Sequence, residues 1–252
     1  MRFAILGSGS RGNGLLVAAD GTRVLVDCGF SVAEAERRLA RLGCDPGTLA
    51  AIVLTHEHGD HARGALACAR RWGVPLHASP GTLAALGDAS GTELRPFDIH
   101  EPFAIGALRL EPFPVPHDAR EPCQLVLGDG DRRLGLVTDA GHVTAHMRRM
   151  LERCHGLLIE CNHDPGLLAR GPYPGPLKAR VGGAYGHLSN PQAAELLGGL
   201  AWDGLRHVVA MHLSEQNNTP AHARSALAAA LGCAPGEVLC AAQDEPLPWM
   251  RL

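Results

Sequence analysis

The sequence predicts a layered α/β protein in which many strands carry helices on their outside, and three observations lead there. Strand and helix signals alternate along nearly the whole chain. Its 252 residues are 46% hydrophobic, enough for one sizeable core or a tight pair of half-domains. No repeat, low-complexity tract or linker interrupts the pattern, so residues 1–252 are expected to form one domain.

The elements follow in order. Phe3 to Leu6 and Leu15 to Ala18 read as strands around the loop Gly7-Ser8-Gly9-Ser10-Arg11-Gly12-Asn13-Gly14. Val24-Leu25-Val26 is another, ending at Asp27-Cys28-Gly29. Ser31 and Glu34 make a capping box for a helix with Val32, Ala35, Leu39 and Leu42 on one face, which Gly43 ends. Ala50 to Leu54 reads as a buried strand, and Ala62 to Trp72 as a helix stopped at Gly73. Ser79-Pro80 opens a short helix; Leu108 to Phe113, Gln124 to Leu127 and Leu134 to Val137 are strands. Val143 to Cys154 is helical, followed by a strand at Leu157 to Ile159. Asn190-Pro191 and Thr219-Pro220 each place a cap residue before a proline at the first helical position, with a strand at His207 to Met211 between them. Pro165 to Gly186, rich in glycine and proline, is expected to be a long loop that could cover a site.

Charged residues make up 19% and the net charge is −3, the opposite of the balance in a strongly basic nucleic-acid binder. Contact with a polyanion would have to come from local arginines and bound metal. The pairs Arg37-Arg38, Arg70-Arg71, Arg132-Arg133 and Arg148-Arg149 would form a phosphate track only if they clustered on one face near the site. Eight cysteines are scattered with no CxxC pair, the apolar run at Met1 to Leu6 is too short for a signal peptide, and no later run approaches transmembrane length. A cytoplasmic protein with reduced cysteines and no membrane contact is expected. Oligomeric state is not encoded legibly.

The unusual number is fourteen histidines, and three of them crowd one strand end. After Ala50 to Leu54 and Thr55 the chain reads His56-Glu57-His58-Gly59-Asp60-His61. Three histidines and two carboxylates in six residues are costly unless something binds them. Imidazole nitrogen and carboxylate oxygen suit zinc and similar borderline ions, and manganese or iron also accept this mixture. One segment cannot complete two metal sites. His117, Asp139 and His212 each follow an apolar run at a strand end and can supply the remainder.

Thr55 to His61 resembles the HxHxDH signature of the metallo-β-lactamase superfamily, and Asp27, His117, Asp139 and His212 occur in the order of its other motifs. The resemblance implies a four-layer αββα sandwich with two divalent metal ions, Zn²⁺ or Mn²⁺, at one edge between two sheets. It also implies the ligand division: His56, His58 and His117 on one metal, Asp60, His61 and His212 on the other, and Asp139 bridging. A water or hydroxide between the metals would be the nucleophile, with Asp60 orienting it or accepting its proton. Asp27 would fix the histidine loop by hydrogen bonds.

The loop Gly7 to Asn13, Glu160-Cys161-Asn162-His163-Asp164, Gly186-His187-Leu188-Ser189-Asn190 and His212 to Asn218 are similar to the YycJ/WalJ subgroup, which is associated with 5′-to-3′ exonuclease activity on DNA. Arg11 and Gly14 stand where close forms carry serine. The resemblance makes the chain a metal-dependent phosphodiesterase with a DNA substrate. A small-molecule hydrolase acting on a cyclic phosphodiester, lactone or thioester is the alternative, and a metal-binding regulator without turnover a third. His187 and His163 are candidates to stabilise or protonate phosphate oxygens, although His187 precedes a helix start where histidines commonly cap. Ser8, Asn13 and Asn162 are candidate substrate contacts.

Overall fold

A computed structural model describes residues 1–252. The first sheet is built from β1 (Arg2–Gly7), β2 (Gly14–Ala19), β3 (Thr22–Val26), β4 (Ala51–Val53), β5 (Leu76–Ala78) and β6 (Leu94–Pro96). The second follows with β7 (Phe103–Ile105), β8 (Leu108–Pro114), β9 (Cys123–Gly128), β10 (Arg133–Val137), β11 (Gly156–Glu160), β12 (His207–Met211) and β13 (Leu239–Cys240). The last strand, β14 (Leu247–Arg251), returns to the first sheet beside β1. Strand orders are β14-β1-β2-β3-β4-β5-β6 and β13-β12-β11-β10-β9-β8-β7.

Both sheets are mixed. The strands β3 through β6 are parallel, as are β10 through β13, and the remaining pairs are antiparallel. Parallel strands covered on both faces read as continuous apolar runs, which is why Ala51–Val53 and Leu157 to Ile159 show no polar alternation. Alternate residues of each run serve different layers. Val24 and Val26 of β3 face Leu110, Leu125 and Leu136 of the opposite sheet in a shared central core. Leu25 packs outward with Ala35 and Leu39 of α1 (Val32–Arg41) and with a further helix below. Outward residues Leu157 and Ile159 of β11 pack beneath three helices of the other flank. The order is helix, sheet, sheet, helix, the four-layer αββα sandwich.

The remaining helices are α2 (Gly59–Ala62), α3 (Ala65–Trp72), α4 (Pro80–Ala85), α5 (Ala145–Leu151), α6 (Pro165–Arg170), α7 (Gly175–Val181), α8 (Asn190–Gly198) and α9 (Pro220–Leu231). The helix from α1's flank is α3, and the trio on the other flank is α5, α8 and α9.

Several expectations are corrected here. Pro165 to Gly186 is not a bare loop: Asp164 caps α6, whose Pro165 takes the first position, and α7 starts at Gly175 after Pro174, with Pro176 second and no side-chain cap. Ser189 rather than Asn190 is the cap of α8, its hydroxyl and the Gln192 side chain forming the reciprocal pair. Ser31 caps α1, but Glu34 turns away to Arg37 and Arg38 instead of closing the box. The expected helix Val143 to Cys154 is shorter because Thr144 caps it and its last turn opens after Leu151. The helix expected from Ala62 is two, α2 and α3, broken at Arg63 and Gly64 because Gly64 lies against the Phe30 carbonyl, where a Cβ would sit 1.7 Å from the oxygen. None of the helices is long and apolar enough to cross a membrane.

Candidate metal centre

The carboxyl ends of the parallel strands converge on one edge of the sandwich. Asp27 follows β3, the segment Thr55 to His61 leaves β4 and enters α2, Asp139 lies beyond β10, Glu160 ends β11, and His212 follows β12. His117 arrives from the end of β8. Asp27, Asp139 and His212 adopt left-handed backbone, with φ of 60°, 53° and 52°. Such conformations cost non-glycine residues about 1–3 kcal/mol each and persist where surrounding structure holds them. The same edge needs one glycine: a Cβ on Gly29 would lie 1.8 Å from the Asp60 carbonyl oxygen.

Five histidines are held through Nδ1, leaving Nε2 for the centre or the cleft above it. Thr55 Oγ1 sits 3.0 Å from His56 Nδ1 and contacts the Asp27 carboxylate, so the hydroxyl donates to Asp27 and accepts from His56. Asp27 Oδ2 also accepts from His61 Nδ1 at 2.8 Å. His117 Nδ1 donates to the Gly186 carbonyl at 3.0 Å, and its Nε2 lies 3.2 Å from His58 Nδ1. Glu160 Oε1 accepts from His212 Nδ1 at 3.0 Å and from His187 Nδ1 at 2.9 Å. Its Oε2 accepts from the amides of Ala140 and Leu188. Fixing one ring nitrogen by a carboxylate or carbonyl is how proteins orient an imidazole towards a metal.

Charge compensation runs through the cluster. Burial opposes ionisation of Asp60, yet the charge on His61 and hydrogen bonds from His212 and His61 hold its carboxyl far below the usual range. Asp139 is likewise held well below it, burial being outweighed by His212 and His61. Burial also works against the Glu160 carboxylate, but His187 beside it brings it down to about 2. The partners shift oppositely. Despite burial, Asp139 and Asp27 raise His61 well above its ordinary value, Glu160 and Asp139 raise His187, and His212 is raised to about 9 by Asp139, Asp60 and Glu160. His56 differs: burial and then the neighbouring His61 push it well below. A neutral, buried imidazole with its lone pair turned inward is what a cation takes as a ligand.

The donors fit divalent metal ions. His56, His58 and His117 can each offer an atom to one point, as can Asp60, His61 and His212, with the offered atoms of each set within 4.8 Å of one another. Asp139 joins His56 and His61 in a further set and so borders both. His56 Nε2 is buried with no hydrogen-bond partner. Asp139 Oδ2 is 2.8 Å from His61 Nε2 yet makes no aligned hydrogen bond, so the two donors converge without satisfying each other. Unpaired buried polar atoms are expensive, and a shared cation satisfies both.

The cleft over this cluster is lined by thirteen residues, of which only two are hydrophobic. His58, Asp60, His117, Asp139, His187 and His212 line it, together with Ser10 and Arg180. Three residues expected to touch substrate instead brace the protein. Ser8 Oγ contacts Asn13 and accepts from the His212 amide at 2.8 Å, fixing that ligand's backbone. The Asn13 amide group reaches Gly9 O, Asp60 and, at 3.2 Å, His61 Nε2. Asn162 Nδ2 donates to the His212 carbonyl. All three are buried, Ser8 and Asn162 against the backbone of His212 and Asn13 against that of Asp60. His163 is buried, its backbone bridged to Ser189 and its Nδ1 unpaired, outside the cleft lining.

The arginine pairs form no track towards the centre. Arg38 is buried against the Leu6 and Gln243 carbonyls, Arg133 meets Glu111, and Arg148 meets Glu195, while none of the eight lines the cleft. Arg11 pairs with Glu215 and Asp244, and Gly14 opens β2 opposite Gly7. Sequence reasoning missed the role of Glu160. An acidic residue closing an apolar strand is its only local mark, and that mark gains meaning from the neighbouring strands that end at Asp139 and His212.

A four-layer sandwich with two adjoining His/Asp donor sets at its strand ends defines the metallo-hydrolase class. Residues 22–213 match the family described as the Beta-lactamase superfamily domain, and the chain belongs to it. It is 32% identical over 235 residues to the Exodeoxyribonuclease YycJ of Bacillus anthracis, covering 92% of this chain and 89% of that one. It is 34% identical over 223 residues to the Exodeoxyribonuclease WalJ of Streptococcus pneumoniae, covering 86% and 83%. In fold it is similar to the metallo-beta-lactamase fold protein YhfI from Bacillus subtilis, with TM-score 0.74, 17% identity and coverage of 97% and 98%. The Zn²⁺-bound PqqB from Methylobacterium extorquens gives TM-score 0.71, 18% identity and coverage of 98% and 99%.

Proposed function

We propose that this metallo-hydrolase is a phosphodiesterase that removes nucleotides from the 5′ ends of DNA. The observation that carries the reading is the cleft: lined mostly by histidine, carboxylate and other polar residues, open to solvent, and bordered by two adjoining cation donor sets. It suits a phosphodiester better than an apolar acyl group. The two relatives named as exodeoxyribonucleases support a DNA substrate.

His56, His58 and His117 would hold one divalent cation, Asp60, His61 and His212 a second, with Asp139 between them. When bound, such a pair supplies an acidified water and charge stabilisation at phosphorus. The chain's own groups do the rest. Asp60, reaching the cleft from α2, orients the attacking water and accepts its proton. His187 is held by Glu160 through Nδ1 and its ring lines the cleft, so its other nitrogen faces the phosphate and can donate to an oxygen as charge develops. Cytoplasmic operation, with zinc or manganese as the metal, completes the proposal. His163 is given no part in it.

The test uses protein loaded with Mn²⁺ or Zn²⁺, end-labelled single- and double-stranded DNA and RNA, and bis(p-nitrophenyl) phosphate, with Asp60→Ala and Asp139→Ala as controls. Progressive shortening from 5′ ends, lost in both variants, is expected. Cleavage of the small diester with polymers untouched would transfer the assignment to a small-molecule phosphodiesterase. No cleavage by protein shown to hold two metals would reject phosphodiester chemistry.

A further inference from the structure

The segment from Pro165 to Gly186, which forms α6, α7 and the turns after each, differs in composition from the rest of the chain. It carries both tyrosines, Tyr173 and Tyr185, and the sole lysine, Lys178. It also has Arg170 and Arg180 and no acidic residue, in a protein of net charge −3. The only large hydrophobic side chains exposed anywhere on the molecule are Leu177, at 36%, and Tyr185, at 63%, and both are here.

Part of this segment reaches the mouth of the cleft. Leu177, Arg180 and Val181 line it from α7, and Gly186 and His187 line it immediately after Tyr185. Tyr185 is anchored by its backbone, its carbonyl accepting from the Asp118 amide at 3.1 Å beside His117. Ala184 and Tyr185 press so closely on Gly141, two residues past Asp139, that a Cβ there would be 2.5 Å from the Tyr185 nitrogen. The ring itself extends to solvent from a fixed base. Arg180 donates from Nε to Asp118 at 2.6 Å, which fixes its fork at the rim while part of the guanidinium stays exposed.

A large aromatic face in water, mounted on a fixed backbone next to the proposed phosphodiester site with Arg180 at the same rim, matches an unpaired nucleobase. Bases stack on aromatic rings while nearby cations follow the backbone phosphates. We propose that Tyr185, backed by Leu177, is a stacking platform for an unpaired base next to the scissile phosphate, with Arg180 contacting the adjoining backbone. This rests on the phosphodiesterase reading and deepens it: the substrate end engaged at the cleft is single-stranded.

The test compares wild type, Tyr185→Ala and Tyr185→Phe, all metal-loaded, on a labelled single-stranded oligonucleotide and on the same strand with abasic residues at its terminal positions. Binding is read separately, by fluorescence anisotropy, using phosphorothioate versions of both strands that resist cleavage. Tyr185→Ala is expected to lower kcat/KM and affinity about tenfold on the base-containing strand and less than twofold on the abasic one. Tyr185→Phe, which keeps the ring, should stay within about twofold of wild type on both. Equal losses on the two strands, or a Phe variant as weak as the Ala variant, would overturn the platform while leaving hydrolysis intact. Wild type that binds base-containing and abasic strands equally would also overturn it. Wild type that cleaves no nucleic acid would instead reject the underlying reading, and the anisotropy comparison would still decide whether Tyr185 recognises bases.

Discussion

Asp27 and Glu160 are equivalent devices on opposite sides of the centre, and they differ in reach. Both are buried carboxylates at the carboxyl end of a parallel strand, and both hold histidine Nδ1 atoms. Asp27 braces one contiguous loop, through the Thr55 amide, the Thr55 hydroxyl and His61. Glu160 ties together three distant segments: Ala140 beyond β10, His187 and Leu188 before α8, and His212 beyond β12. The first sheet therefore delivers its ligands as a local motif, whereas the second assembles its share from separate strands and depends on one carboxylate to hold them in place.

The largest effect should come from Asp139, a carboxylate set between His61 of one half and His117, His187 and His212 of the other. Asp139→Ala should lower phosphodiester hydrolysis by about 10³-fold or more, since several kcal/mol of charge stabilisation go with the second cation. A variant retaining a tenth of wild-type activity would show that the halves work independently. Next, Glu160→Gln should weaken metal affinity by about 100-fold and Asp27→Asn by about tenfold, the two ends of the range for groups that orient ligands. Competition with a chromogenic chelator measures both. If Asp27→Asn costs more, the difference in reach has no energetic meaning.

The third prediction concerns protons. In the metal-free protein, His212 carries a proton to about pH 9 against an unfolded value near 6.5. A raised value means its ion pairs stabilise the fold fully below about pH 6.5 and lose that contribution as pH climbs through about 9. Cations need the neutral ring, so affinity should rise across the same window while binding expels protons. Calorimetry in buffers of different ionisation enthalpy reads the release, and a pH-independent affinity from 6.5 to 9 would contradict it. The smallest effect belongs to the surface: Arg148→Ala breaks a solvent-exposed pair with Glu195 and should cost at most about 0.5 kcal/mol in thermal unfolding, leaving DNA hydrolysis unchanged. A clear loss of hydrolysis would restore the arginine track.

What could be read along the chain follows the same division. His56 to His61 stood out because the ligands are neighbours in sequence, and the long apolar strands declared themselves because parallel strands are apolar on both faces. His117, Asp139 and His212 could be proposed from strand ends, but their grouping came from resemblance to a known motif order. Glu160 escaped because one acidic residue after an apolar run has no local meaning until β10, β11 and β12 are known to lie side by side. Ser8 and Asn13 suit hydrogen bonds to a phosphate, and Asn162 stands in a motif of the resembling subgroup; in the folded protein all three are buried and spend their polar groups on the backbone of His212 and Asp60. The segment Pro165 to Gly186 reads as a loop because prolines and glycines punctuate it, yet Pro165, Pro174 and Pro176 fall within one residue of helix starts, where prolines are tolerated.

By itself, then, the sequence determined the layered α/β class, the strands of the core, the caps at Ser31, Ser79 and Thr219, and the presence of a metal-binding loop. These depend on periodicity, end chemistry and contiguous spacing, which act over a few residues. Tertiary structure alone decided which carboxylate braces which histidine, which arginines reach the cleft, and that both exposed apolar side chains stand at its mouth. Those are properties of strand order and of one sheet facing another, and residues separated by up to two hundred positions acquire them only when the sandwich closes.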